Sequence, residues 1–216
     1  MKKFTYLGIV FSSGGSFSET FKTLSGQSLK AIYKLQSYLY KFTDISVVHK
    51  LELFDKLILP ILNYGSEVWG YNKADCVEKV HLSFCKNILG VRKTTQNSFI
   101  YGELGRTPLI YKRYVNIIKY WFKILYCNDM KYIKVMYNVM LNDLVKYPNK
   151  KSWAYQVRNI LQMYGFNEAW LFQSIGDINV FIKVFKQRVK DNYMQTWTGE
   201  LELSSRASLY RLFGLK

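Results

Sequence analysis

The sequence predicts a mainly α protein, an irregular multi-helix bundle of about eight helices preceded by one short N-terminal β-strand. Apolar and aromatic residues recur every three or four positions through most of the 216 residues, which is the repeat of one helix face. Residues that favour helix caps and helix ends interrupt this repeat at intervals. Hydrophobic residues make up 49% of the chain and aromatic residues 17%, so the composition is that of a folded protein and not of a disordered one.

The first seventeen residues predict one strand and a turn. Phe4 to Phe11 alternates loosely and is rich in β-forming residues, and the glycines of SSGGS suit a turn. No second strand is evident, so we expect the partners of this strand to be missing or to lie far along the chain. The start also imitates a signal peptide, but no small-residue cleavage site follows, which makes a small secreted protein only a third hypothesis.

Residues 51–71, LELFDKLILPILNYGSEVWGY, predict a central helix that is buried over more than half of its circumference. Pro60 falls where a missing N–H and a bend are easiest to tolerate. Gly65 falls in the apolar arc, where the lack of a side chain lets another helix come close. Periodicity does not explain the particular string YGSEVWG.

The remaining helices are predicted from apolar repeats bounded by caps, glycines and prolines. They cover residues 18–39, 77–89, 108–127, 129–147, 152–164, 177–197 and 206–215. A basic loop around Pro148 is the best candidate boundary. We therefore divide the chain into a strand and turn (1–17), a helical body (18–147) and a helical C-terminal extension (148–216).

The charge of the chain indicates a polyanionic partner. Lys and Arg number 31 against 15 Asp and Glu, a net charge of +16. Residues 92–134 hold nine basic and two acidic residues, and lysines recur on one face of the helix predicted at 108–127. We predict contacts with a nucleic-acid backbone that are independent of base sequence and sensitive to salt. The predicted binding residues are Arg92, Lys93, Arg106, Lys112, Arg113, Lys119 and Lys123.

The sequence predicts no catalytic site and no metal site. His81 and Cys85 have the spacing of metal ligands, but both fall on the apolar stripe of their helix and are expected in the core. Glu67, Glu103 and Arg106 are expected to pair across helices and fix their register. We predict no catalytic residue, no metal and no cofactor.

The cysteine content and hydropathy of the chain bear on its compartment. Three cysteines cannot pair completely within one chain, which favours a reducing, intracellular location in cytoplasm or nucleus. No charge-free apolar run approaches the length of a membrane span, so no membrane partner is expected.

Four strings carry a family resemblance: TYLGIVFSSGGSF, AIYKLQSYL, KLELFDKLILPILNYGSEVWGY and VHLSFCKNILGVRKTTQNSFIYGELGRTPL. Over about residues 4–125 they resemble the region directly after the catalytic palm in LINE-type (non-LTR) retrotransposon reverse transcriptases of animals, and SSRASLYRLF resembles a later pattern. The resemblance implies that Tyr6, Leu7 and Gly8 belong to the last palm strand near the primer. It implies that the helices form the thumb and its continuation, which grip template and primer. The family's motif positions are Tyr64, Gly65, Glu67, Trp69, Gly102, Glu103, Gly105 and Arg106.

The sequence departs from that family in the residues that carry catalysis. Such polymerases hold two metal ions through palm aspartates, including an Asp-Asp pair, and this sequence contains no Asp-Asp. We therefore expect a non-catalytic fragment that binds the backbone of RNA or of an RNA–DNA hybrid. A palm domain is a second expected partner if one is encoded upstream. The alternative is a helical protein-interaction scaffold whose charge only keeps it soluble.

Overall fold

Eleven helices and one β-hairpin make up the part of the chain that the structure describes, and this confirms the mainly α fold class. The computed structural model describes residues 3–41 and 44–204, so the helix predicted at 206–215 lies outside the described residues. In chain order the elements are β1 (Lys3–Tyr6), β2 (Ile9–Ser12), α1 (Ser18–Leu39), α2 (Val47–Leu57), α3 (Leu59–Leu62), α4 (Ser66–Trp69), α5 (Asp75–Ile88), α6 (Asn97–Leu104), α7 (Leu109–Leu125), α8 (Tyr132–Lys146), α9 (Trp153–Met163), α10 (Asn167–Phe172) and α11 (Ile178–Leu203).

These elements belong to two compact units, each of which is described by itself. The described residues of the first unit are 3–41, 44–65, 72–109 and 201–204, and the second unit comprises Ser66–Tyr71 and Ile110–Glu200. The units interleave along the chain, whereas the sequence-based division used the consecutive segments 1–17, 18–147 and 148–216. That division stays a prediction.

The N-terminal segment is a two-stranded hairpin and not a single strand. β1 pairs antiparallel with β2, with Lys3 opposite Ser12 and Tyr6 opposite Ile9. Leu7 (φ 46°) and Gly8 (φ 80°) form the two-residue turn, and positive φ at both positions is the signature of a type I′ hairpin turn. The alternation of apolar and polar residues continues through the turn, so nothing in the sequence marked the turn and the two strands were predicted as one. Of the three residues that the resemblance assigned to one strand, only Tyr6 lies in a strand.

The predicted central helix at 51–71 is wrong, because the segment forms three short helices. α2 ends at Leu57, and Pro60 lies in the first turn of α3. Proline has no N–H to continue the hydrogen bonds of α2, and it is tolerated where a helix begins. Gly65 follows α3 with a left-handed φ of 62°, and α4 begins at the next residue.

The core of the first unit forms where α1 packs on α3 and α5. Phe54 is fully buried, with its ring centroid 4.5 Å from that of Phe84 and 5.5 Å from that of His81. His81 and Cys85 are both 0% exposed, which confirms that they are core residues.

A partly buried carboxylate accompanies His81 on α5. Glu78 lies 3.3 Å from His81 Nδ1, accepts a hydrogen bond from Tyr101 Oη, and accepts another from the Leu109 backbone N–H at 2.8 Å. Burial lowers the pKa of His81, but hydrogen bonding to Cys85 and to the Glu78 carboxylate outweighs it and raises the pKa to about 9. The Glu78 carboxylate thus favours the protonated form of His81.

The core of the second unit surrounds α7. Ile117, Ile118 and Trp121 are 0% exposed, and side chains of α8, α9 and α11 complete the cluster. Trp121 Nε1 donates to Tyr137 Oη at 2.7 Å, and Tyr137 Oη donates to Gln173 Oε1 at 2.6 Å. Gln173 follows α10 with a left-handed φ of 48°. No helix within the described residues is long and apolar enough to cross a membrane.

Candidate nucleic-acid interface

Arg113, one of the predicted binding residues, lies in the core and not on the surface. It is 2% exposed, its Cζ atom is 5.5 Å from the ring centroid of Trp69, and its Nε donates to the Gly70 carbonyl at 3.4 Å. Arg113 shares a helical row with Ile117 and Ile124, which face the core, and this row explains its burial. The structure therefore removes Arg113 from the set of residues that could contact a phosphate.

Arg106 is also engaged within the protein. Its Nη1 and Nη2 atoms donate to the two carboxylate oxygens of Asp55 at 2.6 and 3.0 Å, and Nη2 also donates to the Leu51 carbonyl. A two-point contact of this kind fixes both side chains. From the sequence, Arg106 was expected to pair with Glu67 or Glu103. Its partner within the first unit is Asp55, and Glu103 is exposed.

Lys119 and Lys123 are exposed and line a groove of about 960 Å³ in the second unit. The groove runs between the C-terminal half of α7 and the first half of α11. Six of the lining residues are lysines and none is acidic. We call this site the lysine groove; it is lined by Lys119, Phe122, Lys123, Tyr126, Cys127, Lys131, Ile178, Asn179, Ile182, Lys183, Lys186, Gln187 and Lys190.

The helical repeat places these lysines on the two walls. Lys119 and Lys123 are four residues apart on α7, so they share a face. Lys183, Lys186 and Lys190 follow the i, i+3, i+7 repeat on α11 and share a face in the same way. These three lysines were not among the predicted binding residues, although their spacing is visible in IKVFKQRVK.

The floor of the lysine groove is apolar. Phe122 and Ile182 close it from below at 2% and 8% exposure, whereas Ile178 remains 38% exposed. Tyr126, which is 53% exposed, lies at the end of α7 and donates from Oη to the Ile175 carbonyl at 2.8 Å. Cys127 is partly exposed beside it. The groove thus combines cationic walls with an apolar floor and one tethered aromatic ring.

The other predicted cations do not line this groove. Lys112 is exposed on α7. Arg92 and Lys93 are exposed in the loop after α5 in the first unit, where Lys93 lines a smaller depression of about 470 Å³ together with Lys79 and Lys86. Lys86 Nζ donates to the Lys93 carbonyl at 2.8 Å, and burial lowers the pKa of Lys86.

The string SEVWG, which carries part of the resemblance, consists of packing residues in the second unit. Ser66 Oγ accepts from Asn116 Nδ2 at 3.0 Å, and the Glu67 carbonyl accepts from Trp153 Nε1 at 2.8 Å. Trp69 is 0% exposed beneath Arg113. A Cβ atom on Gly70 would lie 2.3 Å from the Ser66 carbonyl oxygen and 2.9 Å from the Cβ of Arg113. Glycine is therefore required at position 70 for close packing.

The motif residues of the first unit are structural as well. Tyr64 is 49% exposed, and its Oη donates to the Leu7 carbonyl at 2.9 Å, which ties the hairpin turn to the end of α3. Gly102 lies within α6, and Gly105, with φ 59°, ends that helix. Among residues 3–41 and 44–204, no group of three or more His, Cys, Asp or Glu side chains is placed to hold a metal ion.

Comparison with known proteins gives one partial match. No protein-family profile matches the chain, and no solved structure matches it. A stretch of 49 residues, 22% of the chain, is 41% identical to a Caenorhabditis elegans protein described as transposon-derived and uncharacterized. The match spans 18% of the length of that protein. This mainly α chain therefore contains a segment similar to a transposon-derived protein.

Proposed function

We propose that the chain binds nucleic acid through the lysine groove, without base specificity and without carrying polymerase chemistry itself. The observation that supports this proposal is the convergence of six lysines from α7, the α7–α8 connection and α11 on one groove that no acidic side chain lines. A site of this charge is unfavourable unless an anion neutralises it, and a phosphate backbone supplies anions at regular intervals.

The proposed origin is a retroelement reverse transcriptase. Two observations support it: the resemblance of residues 4–125 to the region after the palm, and the 49-residue similarity to a transposon-derived protein. Binding and not catalysis is the proposed role, because the sequence contains no Asp-Asp pair of the kind that such polymerases use for two metal ions.

The magnitude of the proposed electrostatic term follows from counterion release. If about six lysines each neutralise one phosphate, the logarithm of the binding constant falls by about 4 to 5 for each tenfold rise in salt. Affinity measured at 50 mM and 200 mM salt should then differ by more than a hundredfold. A protein-interaction scaffold would show no such dependence for nucleic acid.

The test is fluorescence anisotropy with a labelled RNA–DNA hybrid and a labelled RNA strand of equal length. The double variant Lys119→Glu/Lys123→Glu reverses two charges at i, i+4 on α7. The matched control Lys30→Glu/Lys34→Glu makes the same change at the same spacing on α1, where both lysines are exposed. We expect the α7 variant to weaken binding at least tenfold and the control to stay within about twofold.

Two outcomes would contradict the proposal. Equal losses in both variants would mean that only the net charge of the protein matters and that the groove has no special role. No binding of either probe at 50 mM salt would favour the alternative, a helical scaffold without a nucleic-acid ligand.

A further inference from the structure

We infer that the lysine groove takes a single nucleic-acid strand in preference to a duplex, with phosphates on the lysine walls and bases on the apolar floor and Tyr126. This inference rests on the proposed function and specifies the form of the ligand. Three features of the groove carry it: the floor, the tyrosine and the dimensions.

The floor is the first feature. A duplex presents phosphates and sugars on its outside and keeps the faces of its bases stacked within. An apolar floor formed by Phe122, Ile178 and Ile182 gains little from such a surface. The faces of unpaired bases are apolar and accessible, so a single strand can satisfy the lysine walls and the floor at the same time.

Tyr126 is the second feature. Its ring is half exposed at the groove, and its hydroxyl is tethered to the Ile175 carbonyl. A ring held in one orientation loses little conformational entropy when a base stacks on it. Aromatic rings within cationic grooves are the usual platforms for single strands, because every base has a π-face.

The dimensions are the third feature. Lys183 and Lys190 are seven residues apart on α11, which is a rise of about 10 Å. A wall of this length fits a segment of a few nucleotides. The groove, with a volume of about 960 Å³, has room for a short segment of an extended ligand.

The first experiment compares three labelled 15-nucleotide probes in anisotropy titrations at one salt concentration. The probes are oligouridylate, the corresponding RNA–DNA hybrid, and an abasic strand that has the same phosphates without bases. We expect oligouridylate to bind about tenfold more tightly than the other two, although the hybrid carries twice the charge.

Variants of Tyr126 separate stacking from folding. Tyr126→Leu should weaken oligouridylate binding about tenfold and leave the abasic strand unchanged, because only bases stack. Tyr126→Phe keeps the ring and should keep most of the affinity. Tyr132→Leu, which alters a tyrosine that is 80% exposed and does not line the groove, is the matched control.

Protection of Cys127 from alkylation locates the bound strand. Cys127 lines the groove, whereas the partly exposed Cys76 belongs to the first unit and serves as the internal reference. Saturating oligouridylate should slow iodoacetamide labelling of Cys127 at least fivefold, read by mass spectrometry, and leave the labelling rate of Cys76 unchanged.

The outcomes distinguish this inference from the proposed function. If the Lys119→Glu/Lys123→Glu variant loses binding but hybrid and single strand bind equally and Tyr126→Leu has no effect, the preference for a single strand is wrong and the proposed function stands. If Tyr126→Leu weakens binding of the abasic strand as much as binding of oligouridylate, the inference that bases stack on Tyr126 is wrong. If no probe binds, both are wrong.

Discussion

Two rows of α7, one buried and one exposed, make opposite use of positive charge. In the buried row, Arg113 lies against Trp69 and donates to the Gly70 carbonyl. In the exposed row, Lys119 and Lys123 line the lysine groove. The comparison shows that a count of basic residues on a helix does not measure its capacity to bind an anion.

The helical row and the side-chain chemistry together explain the difference. Arg113 lies in the row that faces the core, and its planar guanidinium can lie against an indole ring while it donates hydrogen bonds sideways. The lysine head group is a compact, strongly hydrated charge that is better accommodated in water. The exposed row therefore carries lysines, and the arginine in the buried row stabilises the fold.

The largest expected effect is that of Arg113→Ala. The substitution leaves a cavity over Trp69 and removes a donor from the Gly70 carbonyl, so we expect the free energy of unfolding to fall by about 3 kcal/mol. Urea denaturation followed by circular dichroism measures it. Lys119→Ala on the exposed row should change stability by less than about 0.5 kcal/mol. Similar losses in both variants would abolish the distinction between the rows.

Gly70→Ala tests the same contact from the other side. The added methyl group would lie within van der Waals overlap of the Ser66 carbonyl and of Arg113, so we expect a loss of about 2 kcal/mol. Gly26→Ala is the matched control, because a Cβ atom there meets no atom within 4 Å and α1 gains a better helix former. That variant should be more stable by about 0.5 kcal/mol. A stable Gly70→Ala protein would argue against close packing of Arg113.

His81 extends the comparison to a second buried basic side chain. Its pKa of about 9 in the folded protein exceeds the usual value of 6.5, so the folded state holds a proton that the unfolded state loses between those values. The contribution of His81 to the free energy of unfolding is therefore fully present below pH 6.5. It falls as the pH rises toward 9, by at most about 1.4 kcal/mol per pH unit. Urea titrations at pH 6, 7.5 and 9 measure this slope. The His81→Gln variant should show a smaller slope of unfolding free energy against pH. An unchanged slope in that variant would mean that other groups cause the pH dependence.

The smallest expected effect concerns the exposed row alone. Lysines crowded in the groove repel one another, so Lys119→Glu should raise the free energy of unfolding by about 0.3 kcal/mol while it weakens binding. Thermal denaturation at low salt and at 500 mM salt should show the gain at low salt only, because salt screens exposed charges. A loss of stability would mean that Lys119 has a structural role like that of Arg113.

Local signals in the sequence predicted much of the fold. Ser46, Ser152 and Asp177 are residue types that favour helix N-caps, and each side chain accepts a backbone N–H of the helix that follows it. Gly90 and Gly165 follow the ends of α5 and α9 with left-handed φ, where glycine is the usual residue. These signals depend on the chemistry of a few adjacent residues, and they are legible in one sequence for that reason.

The errors arose where distant residues decide the outcome. Pro60 is an exception with a local cause: it was expected to bend one helix, and it lies in the first turn of a new helix, α3. Arg106 was expected to reach an anion or one of two glutamates, and it pairs with Asp55, 51 residues earlier in the chain. Half of the lysines of the groove come from α11, and no periodicity within α7 could reveal that the two helices share a groove.

Gln173 shows how a buried hydroxyl can determine which amino acid occupies a left-handed backbone position. A left-handed position after a helix is usually occupied by glycine, because other residues are strained there. At position 173 a glycine would relieve that strain. It would also remove the side-chain oxygen that accepts the hydrogen bond from Tyr137 Oη. The sequence at the end of α10 is thus governed by the need for a polar partner inside the second unit. Substitutions that ease the local geometry there should weaken the core.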